Sequence, residues 1–388
     1  MPAWTLGMRI AVGIPSYLEA DSIGHVVTQA DRGLSALFHP ADCVIVNVDG
    51  DSPDGTAEVF LETPTRCRKQ SFLVREQPGG KGTNTLRFLR YCAENRVDIL
   101  ATIDADVKTV TPEWIDALLT PLIRGETDYV TPLYERDRFD AATTRHFAYP
   151  LIYGFFGLDI HQPIGGDFGL TGSFARYLLQ QPIDRYVRGY GIDIFMSAHA
   201  TGAGFRIIQS PLGRKLHKSS FPKRSRIFRD VVSTAIAVLR RYEVRTSGGA
   251  SEGPLPATDG SQNFGQYTQA IALFKEMRAR AADLEPIYRA WLGADLPDLT
   301  RALEADEPRI SSELWTDVLA AAVSRAIWGA PPTCLRALSE SLAPVFMLRA
   351  VTFWIENWRR SPLAVDEEVF AQARLFRTKL LARGQLRG

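Results

Sequence analysis

Over the first third of this chain, apolar runs of strand length alternate with segments of helical periodicity, and that alternation dictates a largely parallel sheet. The runs lie at 8–14, 43–48, 71–75 and 97–103. After the first, Ile23, Val26, Val27, Ala30, Leu34 and Leu37 recur at helical spacing, and residues 82–95 turn Leu86 and Leu89 to one side. Parallel neighbours require crossovers, and a helix is the usual crossover. The order holds to residue 135, and a mixed region rich in Gly and aromatics follows to residue 220. Beyond 225 strand signals vanish, and helices are expected at 227–242, 267–281, 311–328, 342–358 and 367–381. One stretch, 245–262, carries Gly, Ser, Pro and Ala throughout and is expected to be a mobile surface loop. An α/β domain over 1–224 and a helical domain over 225–388 are therefore expected.

Composition narrows the partners. The formal net charge of +1 argues against a polyanion-binding protein, so no nucleic acid is expected. Cys43, Cys67, Cys92 and Cys334 have no paired spacing and each lies in or near an apolar segment, which points to buried thiols. No apolar run precedes Met8, so no signal peptide is expected, and no stretch of about twenty apolar residues is seen, so no membrane span is expected. The expected location is the cytoplasm. Trp354 and Trp358, four apart on a late helix, suit core packing or a subunit interface, and a homodimer is a possible assembly.

The chemistry-bearing residues gather at strand ends, where open α/β sheets place ligands. Asp104 and Asp106 close the fourth run, and side chains two apart in an extended segment share a side, so both can face one divalent cation. Pro15 and Glu19 follow the first run, and Glu19 can accept from a ribose hydroxyl or a base edge. Asp49 ends the second run in a turn of Asp and Gly that backbone geometry alone can explain. Lys81 lies in Pro78-Gly-Gly-Lys-Gly-Thr-Asn, whose glycines permit close backbone approach and whose following helix start favours anions. The spacing of a Walker A loop is absent. Gly165, Gly166 and Asp167 form another close-approach loop, Asp193 opens an apolar helix that it can cap, and His217 can complete the coordination of a metal held by Asp106. A basic run from Arg214 to Arg229 suits a solvated face, a lid over a diphosphate, or a seat for a phosphorylated acceptor.

These motifs, in this order, resemble the GT-A glycosyltransferases. Pro78-Gly-Gly-Lys-Gly-Thr-Asn, Gln162-Pro-Ile-Gly-Gly-Asp, Tyr190-Gly-Ile-Asp and Lys215-Leu-His resemble more closely the mannosylglycerate synthases and glucosyl-3-phosphoglycerate synthases. The resemblance spans residues 8–230 and implies a Rossmann-like, mostly parallel sheet flanked by helices, with a helical C-terminal domain. It implies retaining transfer of mannose or glucose from a GDP- or UDP-hexose to D-glycerate or 3-phosphoglycerate, with Mg2+ or Mn2+. By the same resemblance Pro15, Glu19, Asp49, Lys81 and Asp104 hold the nucleotide. Asp106 and His217 ligate the metal, with Asp104 completing the Asp-X-Asp. Gly165, Gly166 and Asp167 line the sugar pocket, Arg136 and Thr144 grip the acceptor carboxylate, and Asp193 orients acceptor or sugar. The turn Asp-Gly-Asp-Ser-Pro-Asp-Gly departs toward inverting family 2 enzymes, in which Asp193 or Asp167 serves as catalytic base. A nucleotidyltransferase is a further alternative, since paired carboxylates and a Gly-rich loop suit it as well.

Overall fold

The computed structural model describes residues 7–75, 79–136, 140–218, 223–246, 297–305, 309–329 and 334–385, together with residue 279. Pro78, the helix expected at 267–281 apart from residue 279, and all but the start of the 245–262 segment lie outside them. The chain forms two compact units, residues 1–134 with 162–223 and residues 135–161 with 224–388.

In the first unit the strands are β1 (Ile10–Ser16), β2 (Cys43–Asp49), β3 (Arg68–Leu73), β4 (Ile99–Thr102), β5 (Tyr129–Glu135), β6 (Phe168–Thr171) and β7 (Ile207–Arg214). Its helices are α1 (Ile23–Leu37), α2 (Thr56–Glu62), α3 (Lys81–Glu94) and α4 (Pro112–Ile123), followed, after a segment of the second unit, by α6 (Gly172–Leu179), α7 (Arg185–Arg188) and α8 (Ile192–Ala203). The sheet order is β3-β2-β1-β4-β6-β5-β7. β3, β2, β1 and β4 are parallel, while β6 runs antiparallel to β4 and to β5.

Period-two alternation assigns the faces of β1. Ile10, Val12 and Ile14 enter one core with Val26, Val27 and Leu34 of α1 and Ile115 and Leu118 of α4. Gly13 points the other way, where a Cβ would meet the Phe88 ring of α3 at 2.4 Å. Pro15 continues β1 rather than ending it. The Gly13 carbonyl accepts from Ile103 N on the β4 side, so two residues on the missing N–H of Pro15 falls where pairing with β4 has already stopped. Pro121 lies in the last turn of α4, which ends two residues later.

The second unit contains a π-turn at Thr144–Ala148 and helices α5 (Tyr149–Phe156), α9 (Arg224–Leu239), α10 (Pro297–Glu304), α11 (Ser312–Trp328), α12 (Leu335–Asn357) and α13 (Pro362–Gln385). The chain passes from the first unit to the second at residue 224, and 135–161 also joins the helical unit. The reason is packing. Tyr149 and Tyr153 of α5 cluster with Phe353, Val365, Val369 and Ala373, and Gly154 leaves room only for the ring of Phe376.

One compositional expectation needs correction. Cys43, Cys67 and Cys92 are buried, but Cys334 is exposed, because it precedes α12 rather than belonging to it. Helix α12 is long and apolar enough to cross a membrane by length and composition, and most of it is buried within its own unit. The fully buried Arg349 interrupts it, bonded to Gln372 and paired with Glu356 and Glu368 at 3.2 Å each.

Candidate active site

Strand direction gathers the site. β1, β2 and β4 deliver Glu19, Asp49 and Asp104 just beyond their carboxyl ends or at them, and β5 brings Tyr134 to the same edge. Because β6 runs antiparallel, its amino end lies at that edge, which places Gly165, Gly166 and Asp167 beside Asp104. The chain leaves β1 for β2 on one side and β4 lies on the other, so Glu19 and Asp104 flank the point where strand order reverses.

An ion network joins these ends. Lys81 Nζ stands 2.8 Å from Asp104 Oδ1 and 3.1 Å from Asp193 Oδ2. Lys215 Nζ, on a side chain only 2% exposed, contacts Asp104 Oδ2 at 3.0 Å and Asp167 Oδ2 at 2.7 Å, and donates to the Gly165 carbonyl at 2.9 Å. The Tyr134 hydroxyl also donates to Asp167 Oδ2, and Asp104 N donates to Asp167 Oδ1 at 2.8 Å. Burial opposes ionisation of Asp104, yet the two ammonium groups win and hold its carboxyl below the usual range. Burial likewise opposes the charge on Lys81, and Asp104 and Asp193 outweigh it, holding the ammonium above its ordinary value.

Asp106 and His217 stand apart from the lysines. Asp106 Oδ2 accepts from Lys218 N at 3.2 Å and lies 3.9 Å from His217 Nδ1, with both side chains 21% exposed. Burial and the charge of Asp104 raise the Asp106 pKa. The His217 Nδ1 contacts the Lys218 carbonyl at 2.7 Å. A carbonyl can only accept, so Nδ1 carries the proton and a neutral ring leaves Nε2 with its lone pair.

A carboxylate and an imidazole are ligand types that suit a divalent cation, and Asp106 and His217 would supply them, the imidazole through Nε2. Charge agrees. The carboxylates of Asp104, Asp167 and Asp193 contact the ammonium groups of Lys81 and Lys215 while Asp106 pairs with neither, so with all six groups ionised the cluster carries two net negative charges. Among the described residues no group of three metal-ligating side chains forms. Both oxygens of Asp104 are turned to lysines, Oδ1 to Lys81 and Oδ2 to Lys215.

Some expectations change. Asp167 is wholly buried with both oxygens engaged, so it is not a free base or sugar contact but holds Lys215 and the Asp104 backbone. Asp49 is also wholly buried, accepting from Ser16 Oγ at 2.7 Å, Ser52 Oγ at 2.8 Å and Ser52 N at 2.6 Å; it builds the turn instead of offering a nucleoside acceptor. Asp193 does not cap α8. Its Oδ2 meets Lys81, its Oδ1 is buried with no hydrogen-bond partner, and burial raises its pKa. Arg136, 3.3 Å from Asp140, and Thr144, the first residue of the π-turn, belong to the second unit.

The glycines work differently from expectation. A Cβ on Gly82 would stand 1.8 Å from the Val187 carbonyl, so this glycine admits the α7 backbone rather than a ligand. Gly166 has φ +95°, and a Cβ there would strike Asp104 Oδ2 at 2.1 Å. Gly166→Ala is expected to stay folded and lose about a hundredfold in kcat, since both the left-handed strain and the clash fall on the Asp104–Lys215 contact. Steady-state rates with a thermal melt check this.

Sequence reasoning gave no role to Tyr134, and it met Lys215 and Lys218 only as members of the Lys215-Leu-His motif and the basic run. Lys215 and Lys218 lie in a basic run that reads as a solvated face, and only the exposed Arg214, Lys223 and Arg226 behave that way.

The first unit has the GT-A fold, and residues 11–176 match the model of Glycosyl transferase family 2. The chain is 26% identical over 302 residues to the glucosyl-3-phosphoglycerate synthase of Mycolicibacterium paratuberculosis, covering 70% of this chain and 86% of that one. The crystal structure of glucosyl-3-phosphoglycerate synthase from Mycobacterium tuberculosis with phosphoglyceric acid superposes with TM-score 0.50 at 23% identity, over 65% of this chain and 85% of that one. The same enzyme with Mn2+, UDP-glucose and phosphoglyceric acid gives TM-score 0.50 at 22% identity, over 66% and 90%. At such identity the superpositions establish the fold.

Proposed function

We propose that this chain transfers glucose from UDP-glucose to the hydroxyl of 3-phosphoglycerate, with Mg2+ or Mn2+ held by Asp106 and His217. The observation that carries the reading is the reachable Asp106–His217 pair beside the Lys81–Asp104–Lys215 network. The glucosyl-3-phosphoglycerate synthase relative over 70% of the chain supports the substrates. The cytoplasm, where nucleotide sugars are made, is the setting that suits it.

Breaking the sugar–phosphate bond develops negative charge on the diphosphate and positive charge on the anomeric carbon. The cation, when bound, neutralises the first. Lys81 adds a fixed positive charge on the same edge, at the start of α3 where the helix end also favours anions. Glu19 receives the nucleoside. The open Oδ1 of Asp193 accepts from a hydroxyl of the sugar or the acceptor. Same-face attack, with a leaving-group oxygen taking the proton and retention at the anomeric carbon, follows from the resemblance to the glucosyl-3-phosphoglycerate synthases. The family 2 match favours a second reading, inversion with Asp193 as base.

A screen with Mg2+ and Mn2+, crossing UDP-glucose, GDP-glucose and GDP-mannose with 3-phosphoglycerate, D-glycerate and simple sugars, tests both. UDP-glucose with 3-phosphoglycerate is expected to release UDP fastest, and proton coupling in the product is expected to report the α-anomer. A β-anomer establishes inversion. Transfer to simple sugars alone, or release of pyrophosphate, overturns the proposal.

A further inference from the structure

The residue after His217 ties two parts of the site together. The Lys218 ammonium contacts Glu19 Oε2 at 2.7 Å and Asp21 Oδ1 at 2.6 Å and donates to the Leu18 carbonyl at 3.0 Å. An ammonium has three donors, and these contacts use them all. Leu18 has φ +61°, a left-handed conformation that a leucine rarely adopts, so the loop after β1 is bent to bring its carbonyl to this group. The backbone of Lys218 faces the other way. Its N–H donates to Asp106 Oδ2 at 3.2 Å, and its carbonyl holds His217 Nδ1 at 2.7 Å. Lys218 is about one-third exposed and Glu19 14% exposed, so the contact with Glu19 is shielded more than a surface pair.

We infer that Lys218 is a positioning residue that couples the cation position to the nucleoside position. This rests on the reading given above for Asp106, His217 and Glu19. Drawing Asp106 and His217 onto one ion fixes both backbone groups of Lys218. That fixes where the ammonium stands, and hence how the Glu19 carboxylate and the Leu18–Asp21 loop are presented to a nucleoside. Linkage then requires the effect to be mutual, so that nucleoside binding strengthens cation binding by the same factor.

A diphosphate touches the metal directly and would mask this coupling, so the probe is uridine, which has no phosphate. Uridine affinity is measured by ligand-observed NMR titration without and with saturating Mg2+, in the parent chain, Lys218→Met and Lys218→Arg, with thermal melts to confirm folding. Mg2+ is expected to tighten uridine binding about fivefold or more in the parent and in Lys218→Arg, and to leave it unchanged in Lys218→Met. Manganese titrations followed by electron paramagnetic resonance, with and without uridine, are expected to show the same factor. A parent in which Mg2+ does not tighten uridine binding overturns the inference, as does a Lys218→Met variant that keeps the full effect. Calorimetry of UDP with Mg2+ on the parent separates the two ideas. Absence of UDP binding defeats the donor reading and the inference with it, whereas tight UDP binding without uridine coupling defeats the inference alone.

Discussion

Replacing Asp106 by alanine is expected to lower the rate of sugar transfer about a thousandfold, equivalent to ~4 kcal/mol of transition-state stabilisation. The side chain is one of two reachable ligands, and it makes no ion pair with Lys81 or Lys215. In the proposed reading, its loss removes the charge that would hold a divalent ion against the leaving diphosphate. Stability is expected to be unchanged or higher. Burial and the neighbouring Asp104 charge already disfavour the ionised Asp106, so its removal relieves a like-charge contact. UDP release from UDP-glucose with 3-phosphoglycerate at saturating Mn2+ gives the rate, and a thermal melt gives the stability. A variant that turns over within tenfold of the parent would place the cation elsewhere.

Lys215→Met is expected to act in the opposite way, on stability before chemistry. The substitution keeps the length of the side chain but leaves Asp104 and Asp167 short of a partner in a buried setting. Breaking a buried ion pair from one side costs about 3–5 kcal/mol. The pH dependence has a definite sign. The folded pKa of Asp104 is depressed, so its contribution is present above the unfolded carboxylate value of about 3.9 and is lost as pH falls through the lower folded pKa. Without Lys215 the folded pKa rises, because burial is then opposed by Lys81 alone. The deficit of the variant is therefore largest at neutral pH and narrows as pH falls through about 4. Urea unfolding at both pH values measures it. A variant equal to the parent at pH 7, or one whose deficit grows in acid, would show that the network contributes no net stability.

The parts of the site legible in the sequence are those carried by strand ends. Asp104 and Asp106 follow an apolar run, Lys81 follows a turn with two glycines, and local pattern placed each at the correct edge. The roles of neighbouring carboxylates were not legible. Asp49, Asp104, Asp106, Asp167 and Asp193 are the same residue type near strand or helix ends, yet one builds a turn, two hold lysines, one faces His217 and one keeps an oxygen open. Burial and partner distinguish them, and neither has a local sequence signature. Residues 135–161 show the same limit at a larger scale. Their aromatics read as part of the α/β region, but Tyr149, Tyr153 and Gly154 are shaped to fit α12 and α13, whose sequences lie roughly two hundred residues later.

Periodicity alone determined the alternating strands and helices, the parallel sheet, the edge at which the candidate site residues gather and the helical character of the C-terminal part, because periods of two and 3.6 are properties of neighbouring residues. The tertiary structure decided which charges meet. Lys81 and Asp193 are 112 positions apart and Lys215 and Asp104 are 111, and only strand order, together with the reversed direction of β6, brings such groups within hydrogen-bond reach.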